Sequence, residues 1–144
     1  MAQAWLAQLG APAQRLPQLY ETLDTLALEH LSGGGLRVLP HFSGERGAPQ
    51  LRGIVEGVGE DNFTPGHFFA ALGRGVLENL KTSLPAAIRD RKSEIVVSGN
   101  AARHLRSVQA LVVKVFDLPM RMSDEREESA QGAARLARRA LARR

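Results

Sequence analysis

The sequence predicts a small α/β protein with a short mixed sheet and one parallel βαβ unit flanked by helices. Two observations lead to this prediction. The run from Glu94 to Ser98 is short, apolar and β-branched, and it breaks at Gly99 into a helical pattern. From residue 94 onward the predicted order is strand, helix, strand, helix, which favours a parallel strand pair with a right-handed crossover.

Length and composition indicate one globular unit over residues 1–144. Apolar residues make up 44% and charged residues 24% of the chain, as in ordinary soluble domains. The absence of cysteine excludes disulfides and zinc thiolate sites. No segment reaches the roughly 20 apolar residues of a membrane span, and Met1–Leu9 lacks the basic start of a signal peptide. We therefore expect a cytoplasmic protein with no membrane partner.

Residues 1–35 are predicted to form two leading helices, Ala2–Leu9 and Leu16–His30, from the spacing of their apolar side chains. Most of an apolar stripe on the second helix comes from Leu16, Leu19, Tyr20, Leu23, Leu26 and Leu28. The glycine-rich run Ser32–Gly35 ends this helix.

Residues 36–93 are predicted to contain a glycine- and proline-rich loop and a long helix. Strand, loop and strand are expected in that order at Leu36–Leu39, His41–Pro49 and Gly53–Val58. Thr64 is a favourable N-cap and Pro65 suits the first helical position, so the long helix begins there and runs to about Ser83. Its buried face is expected to carry Phe69, Leu72, Val76 and Leu80.

Residues 94–144 are predicted to form the βαβα segment. One helix of about four turns is expected after Gly99, ending near Asp117. The second strand follows at Pro119–Met122. The apolar positions of the first helix are Leu105, Val108, Val112 and Val115, and those of the alanine-rich final helix are Ala130, Ala133, Ala134, Ala137 and Leu141.

The basic pI of about 10.3 reflects a charge cluster at one end. The whole chain has a net charge of +4, and five arginines close its final helix; without them the remainder of the chain is close to neutral. Acidic residues begin the same helix, which is the order that the helix dipole favours. None of the seven aromatic residues lies among the arginines to stack on bases. A solvated helix face accounts for the arginines, and no nucleic-acid partner is predicted.

The turn after strand 94–98 is the predicted ligand site. A helix that begins directly after a glycine turn directs free N–H groups and the positive end of its dipole at whatever lies above the sheet edge, commonly a phosphate. Ligands of parallel sheets bind beyond the carboxyl ends of the strands, where Gly99 and Asn100 fall. The same junction also occurs in α/β proteins that bind nothing there, so a purely structural role stays open.

Four motifs in the same order resemble the C-terminal lobe of the FGGY carbohydrate kinases. They are Leu39-Pro40 with Gly44-Glu45-Arg46 and Pro49, the helix from Thr64, the segment Ser98–His104, and Gln131-Gly132-Ala133-Ala134. The pair Arg74-Gly75 stands where most of these sugar kinases have Glu-Gly, and this favours the sedoheptulokinase branch. The resemblance covers the chain from Trp5 onward.

This resemblance implies part of a ribonuclease-H-like lobe of the actin and hexokinase type. Such kinases transfer the γ-phosphate of MgATP to a sugar hydroxyl. It also implies an adenosine-side site formed by Ser98, Gly99, Asn100, Arg103 and His104. Gly99 and Asn100 would approach the nucleotide with their backbone, and Arg103 and His104 would border the adenine pocket. Asn100 replaces a glycine of the family and His104 replaces an asparagine.

The same resemblance places the catalytic aspartate and most sugar contacts in an N-terminal lobe that does not map onto this chain. We therefore expect no catalytic residue here, no kinase activity of this chain alone, and sugar binding only with a second polypeptide or lobe. Unpaired strand edges are expected to favour marginal stability or homo-oligomers. A non-catalytic nucleotide-binding module and a protein-interaction module remain alternatives.

Three further polar groups are expected to be structural. Glu45 and Arg46, an adjacent acid and base, are expected to fix their loop, and His67 has no visible catalytic partner in the sequence. His30 and His41 lack a third ligand at metal-binding spacing, so no metal site is predicted. Magnesium would arrive with ATP.

Overall fold

The computed structural model describes residues 7–8, 16–89, 92–124 and 128–141. The predicted helix Ala2–Leu9 lies outside these residues except for positions 7 and 8. In the described residues the elements follow in the order α1 Leu16–Glu29, a 3-10 turn Gly33–Gly35, β1 Arg37–Leu39, β2 Ile54–Glu56, α2 Pro65–Ser83, α3 Ala86–Arg89, β3 Ile95–Val97, α4 Asn100–His104, α5 Arg106–Phe116, β4 Met120–Met122 and α6 Glu128–Leu141.

The strands form two short sheets in the described part of the chain. β1 and β2 are antiparallel, with Val38 opposite Val55. β3 and β4 are parallel, with Val96 opposite Arg121, and α4 and α5 connect them. The predicted α/β class and its parallel βαβ unit are confirmed.

Helix α2 is the centre of the packing, since it contacts α1, β1 and α5. Its start agrees with the sequence: the Thr64 side chain accepts a hydrogen bond from the N–H of His67, and Pro65 occupies the first turn. One core cluster joins α2 to β1 through Leu36, Val38 and Ala71. A second joins α2 to α5 through Leu77, Leu111 and Val112.

The predicted buried face of α2 is wrong in its second half. Val76 is 41% exposed and Leu80 is 55% exposed. The residues that α2 buries are mostly small: Gly66, Ala70, Ala71, Gly75 and Leu77. Small residues let the backbones approach closely, because a Cβ on Gly66 would lie 2.8 Å from the carbonyl oxygen of Leu26 in α1. The spacing of large apolar side chains predicted the wrong buried face, because close contact between backbones decides which face of α2 is buried. In α1, similarly, Tyr20 is exposed and Ala27 is buried.

The single helix predicted after Gly99 is two helices, α4 and α5, separated by Leu105 in an extended conformation. The cause is Asp24 of α1, whose buried carboxylate accepts hydrogen bonds from the N–H of Arg106 at 3.0 Å and from the N–H of Ser107 at 2.8 Å. The Ser107 hydroxyl also donates to it. Asp24 thus caps α5 from another helix, and the chain must leave the α4 direction to reach it.

Helix α6 closes the described chain with its apolar side exposed: Leu136 is 69% and Leu141 is 71% exposed. Throughout the described ranges, helices fall short of the combined length and apolarity that crossing a membrane requires.

Candidate functional site

The predicted ligand turn lies at the carboxyl end of β3. β3 ends at Val97, and α4 begins at Asn100. Gly99 has φ 98° and ψ 158°, a backbone conformation that residues with a Cβ rarely adopt. A Cβ at Gly99 would meet no described atom within 4 Å. Glycine is therefore required here by backbone conformation, and no described atom occupies the space where a side chain would lie.

The structure brings Ser98, Gly99 and Asn100 together at an exposed edge. The first N–H groups of α4 have no acceptor further back in their own helix, and the N–H of Arg103 is the first to reach back, to the carbonyl of Gly99 at 3.2 Å. Backbone N–H groups without an acceptor in their own helix can receive an anionic or polar ligand group.

Arg103 joins α4 to the end of β4. Its guanidinium donates to the carbonyl oxygen of Ser123 at 2.8 Å, and the N–H of Ser123 donates to the carbonyl of Val97 at 2.8 Å. These two bonds hold the carboxyl ends of both parallel strands beside the turn. Arg103 is half-buried, whereas His104 is exposed at the end of α4.

The sequence analysis did not identify two residues that hold this turn in position, Gln109 and Asp24. The Gln109 side chain donates to the carbonyl of Ala102 at 2.7 Å, and Asp24 fixes the start of α5. No helix start was predicted at Arg106, so the sequence carried no signal for Asp24. In the structure Leu105, which precedes α5, cannot accept a hydrogen bond through its side chain. A helix start without a capping side chain needs an acceptor from elsewhere.

The loop with Glu45 is attached to α2. The Glu45 carboxylate accepts a hydrogen bond from the Asn79 amide at 3.2 Å and lies 3.0 Å from Nδ1 of His41. Glu45 and Ala48 also exchange backbone hydrogen bonds. The contacts of Glu45 are therefore those of a loop anchor, while Arg46 is exposed.

His67 packs against another histidine. Its ring stacks on His30 with 3.9 Å between centroids, and its Nδ1 lies 2.9 Å from the Thr64 hydroxyl. A Cβ on Gly34 would lie 2.8 Å from the ring. These contacts fix the start of α2. Within the described ranges, no group of three His, Asp or Glu side chains could hold a metal ion.

This architecture, a parallel βαβ unit with helices and a short antiparallel pair, is that of part of an actin- or hexokinase-like kinase lobe. Solved structures that share it are FGGY-type carbohydrate kinases. No family profile matches the sequence, and no curated protein does either.

Three of these structures illustrate the likeness. Xylulose kinase from Bifidobacterium adolescentis aligns with 98% of this chain at 23% identity and a TM-score of 0.66. Xylulose kinase from Rhodospirillum rubrum aligns with 84% at 28% identity and a TM-score of 0.65. Gluconate kinase from Lactobacillus acidophilus aligns with 98% at 24% identity and a TM-score of 0.65. The chain spans 27%, 25% and 29% of their respective lengths.

Proposed function

We propose that this chain is part of an ATP-dependent carbohydrate kinase and supplies the adenosine side of its ATP site. The observation that carries the proposal is the fold match to sugar kinases over 98% of the chain. The position of the Ser98–Asn100 turn supports it, because ligands of such sheets bind beyond the carboxyl ends of the strands.

In this proposal each residue of the turn has a defined role. Gly99 and Asn100 approach the nucleotide through their backbone, and the open space at Gly99 leaves room for it. Arg103 holds the turn against β4 through Ser123, and exposed His104 borders the adenine. ATP brings its Mg²⁺, and the group that takes the proton from the sugar hydroxyl comes from another lobe or polypeptide.

The pair Arg74-Gly75 supports a sedoheptulokinase-like enzyme through its resemblance to that branch. Arg74 donates to the carbonyl of Leu31 at 2.6 Å, and Gly75 allows α2 to lie directly against β1. The sugar itself would be read by the other lobe. Supplying the N-terminal lobe that is encoded beside this chain in its own genome, and comparing sedoheptulose, xylulose and gluconate as substrates, tests this assignment: activity on sedoheptulose supports it, and activity confined to the other two sugars contradicts it.

The nucleotide site is tested by titrating the isotope-labelled chain with MgATP and following its amide NMR signals. We expect saturable shifts at residues 98–104, with a Kd of about 1 mM as half a site would give. Adenosine should compete, because the proposed half-site holds the adenosine portion.

A matched pair of glycine variants sharpens this test. Gly99→Val should weaken binding roughly tenfold, because it strains the turn and fills the open space. Gly47→Val is the control, since Gly47 lies in an exposed loop, has no positive φ, and has no described atom within 4 Å of where a Cβ would lie. If MgATP produces no saturable shift at residues 98–104, or if both variants behave alike, the chain does not supply the adenosine side.

A further inference from the structure

A cavity of about 460 Å³ lies at the end of the βαβ unit opposite the turn at Gly99. Its walls are the end of β1, the second half of α2 and the last turn of α5. The turn at Gly99 precedes α5, whereas Lys114 and Val115 of the cavity end it. Since α5 has 11 residues, its ends are about 16 Å apart. We call this cavity the basic cleft; it is separate from the predicted nucleotide turn.

Three cations of the basic cleft have no carboxylate partner in the described part of the chain: Arg74, Lys81 and Lys114. Arg74 donates to the carbonyl of Leu31 from one terminal nitrogen at 2.6 Å, and its Nε, which has no acceptor, is buried away from any ligand of the cleft. The Lys81 ammonium donates to the carbonyl of Val115 at 2.6 Å, which uses one of its three donors. These groups therefore retain donors for a ligand.

Arg37 of the cleft is paired with Glu56 at 3.0 Å. His41 lies 3.0 Å from the carboxylate of Glu45, a residue that does not line the cleft. Glu78 is the acid among the described lining residues. Three cations against one carboxylate leave an excess of two positive charges.

We propose that the basic cleft binds a phosphate dianion, either inorganic phosphate or the phosphate group of a small monoester. A phosphate group carries close to two negative charges at neutral pH, which matches the excess. The volume is that of a small-molecule site. Arginine and lysine are the usual phosphate donors, and Glu78 disfavours ligands with more negative charge. This site does not depend on the proposed nucleotide function.

A structural role for the lysines alone makes a different prediction. Lys81 and Lys114 lie in the last turns of α2 and α5, where cations stabilise the helix dipole. That role predicts no ligand affinity. Substitutions that change charge without disturbing the fold distinguish the two roles.

The test is an NMR titration of the full chain with inorganic phosphate and, separately, with glycerol 3-phosphate, at constant ionic strength and with acetate and glycerol as controls. We expect saturable shifts at the amides of Lys81, Thr82, Lys114 and Val115, and none at residues 98–104. Tighter binding of glycerol 3-phosphate identifies a monoester site, and equal or tighter binding of inorganic phosphate identifies an inorganic phosphate site.

Two variants of opposite sign complete the test. Lys114→Gln should weaken binding roughly fivefold, and Glu78→Gln should strengthen it by a similar factor, since each removes one charge from the cleft. Lys92→Gln is the control, because Lys92 is exposed and does not line the cleft. Without phosphate, the three variants and the parent should melt within a few degrees of one another. Absence of saturable shifts, equal shifts with acetate, or equal effects of all three substitutions would overturn the proposal.

Discussion

The close approach of α2 to β1 at Gly75 leads to the sharpest stability prediction. A Cβ built on Gly75 would overlap the carbonyl oxygen of Val38 and lie 3.1 Å from its carbonyl carbon. Neither side can move freely, because Val38 is fully buried and Ala71 of the same helix is 1% exposed. Gly75→Ala therefore forces the helix and the strand apart.

The magnitude follows from what must shift. Inserting a methyl group into a packed core costs about 1–3 kcal/mol, and a clash with backbone on both sides belongs at the upper end. The better helix propensity of alanine returns up to about 1 kcal/mol. We expect a net loss of about 2 kcal/mol or more in the free energy of unfolding, which lowers Tm by roughly 5–10 °C for a chain of this size.

Gly132→Ala is the matched control, because Gly132 also lies inside a helix, α6, but a Cβ there would meet no described atom within 4 Å. The identical change should leave stability unchanged or raise it by up to about 1 kcal/mol. Urea unfolding followed by circular dichroism measures both variants. If Gly75→Ala unfolds at the same urea concentration as the parent, the direct contact between α2 and β1 is wrong.

Three further variants test other contacts by the same unfolding assay. Asp24→Ala should cost about 2–4 kcal/mol, because two backbone N–H groups and the Ser107 hydroxyl lose a buried charged acceptor; Asp24→Asn should cost less, and equal losses would contradict this account of the cap. Gly99→Ala should cost about 1–2 kcal/mol through its positive φ alone, and a neutral result would mean that the turn relaxes. Glu45→Gln should cost less than about 1 kcal/mol, since its ion pair with His41 is partly exposed, and a larger loss would assign the loop a greater part in stability.

Local signals predicted the elements well wherever the deciding residues are neighbours in sequence. Thr64 and Pro65 start α2 as expected, and the β-branched run before Gly99 forms β3. The parallel pairing with β4 followed from element order. Each of these features depends on backbone preferences that the residues carry with them.

The sequence did not predict the features that depend on contacts between distant residues. The division between α4 and α5 is set by Asp24, which lies 82 residues before Arg106. The buried face of α2 depends on which backbones it touches, so Gly75 is buried and Leu80 is exposed. The basic cleft combines residues from β1, α2 and α5 that share no motif. Periodicity cannot reveal contacts between segments that the fold alone brings together.

The turn at Ser98–Asn100 shows why a motif is insufficient to define a site. Gly99 permits the turn, but three hydrogen bonds to other parts of the chain hold it in place. Arg103 donates to Ser123, Gln109 donates to Ala102, and Asp24 accepts from Arg106 at the start of α5. A ligand bound by backbone N–H groups gains affinity when those groups are already in place, because it does not have to order them. The contribution that we propose for residues 98–104 in nucleotide binding would therefore depend on α1 and β4 as much as on the glycine turn. A short peptide with the same sequence would lack that support.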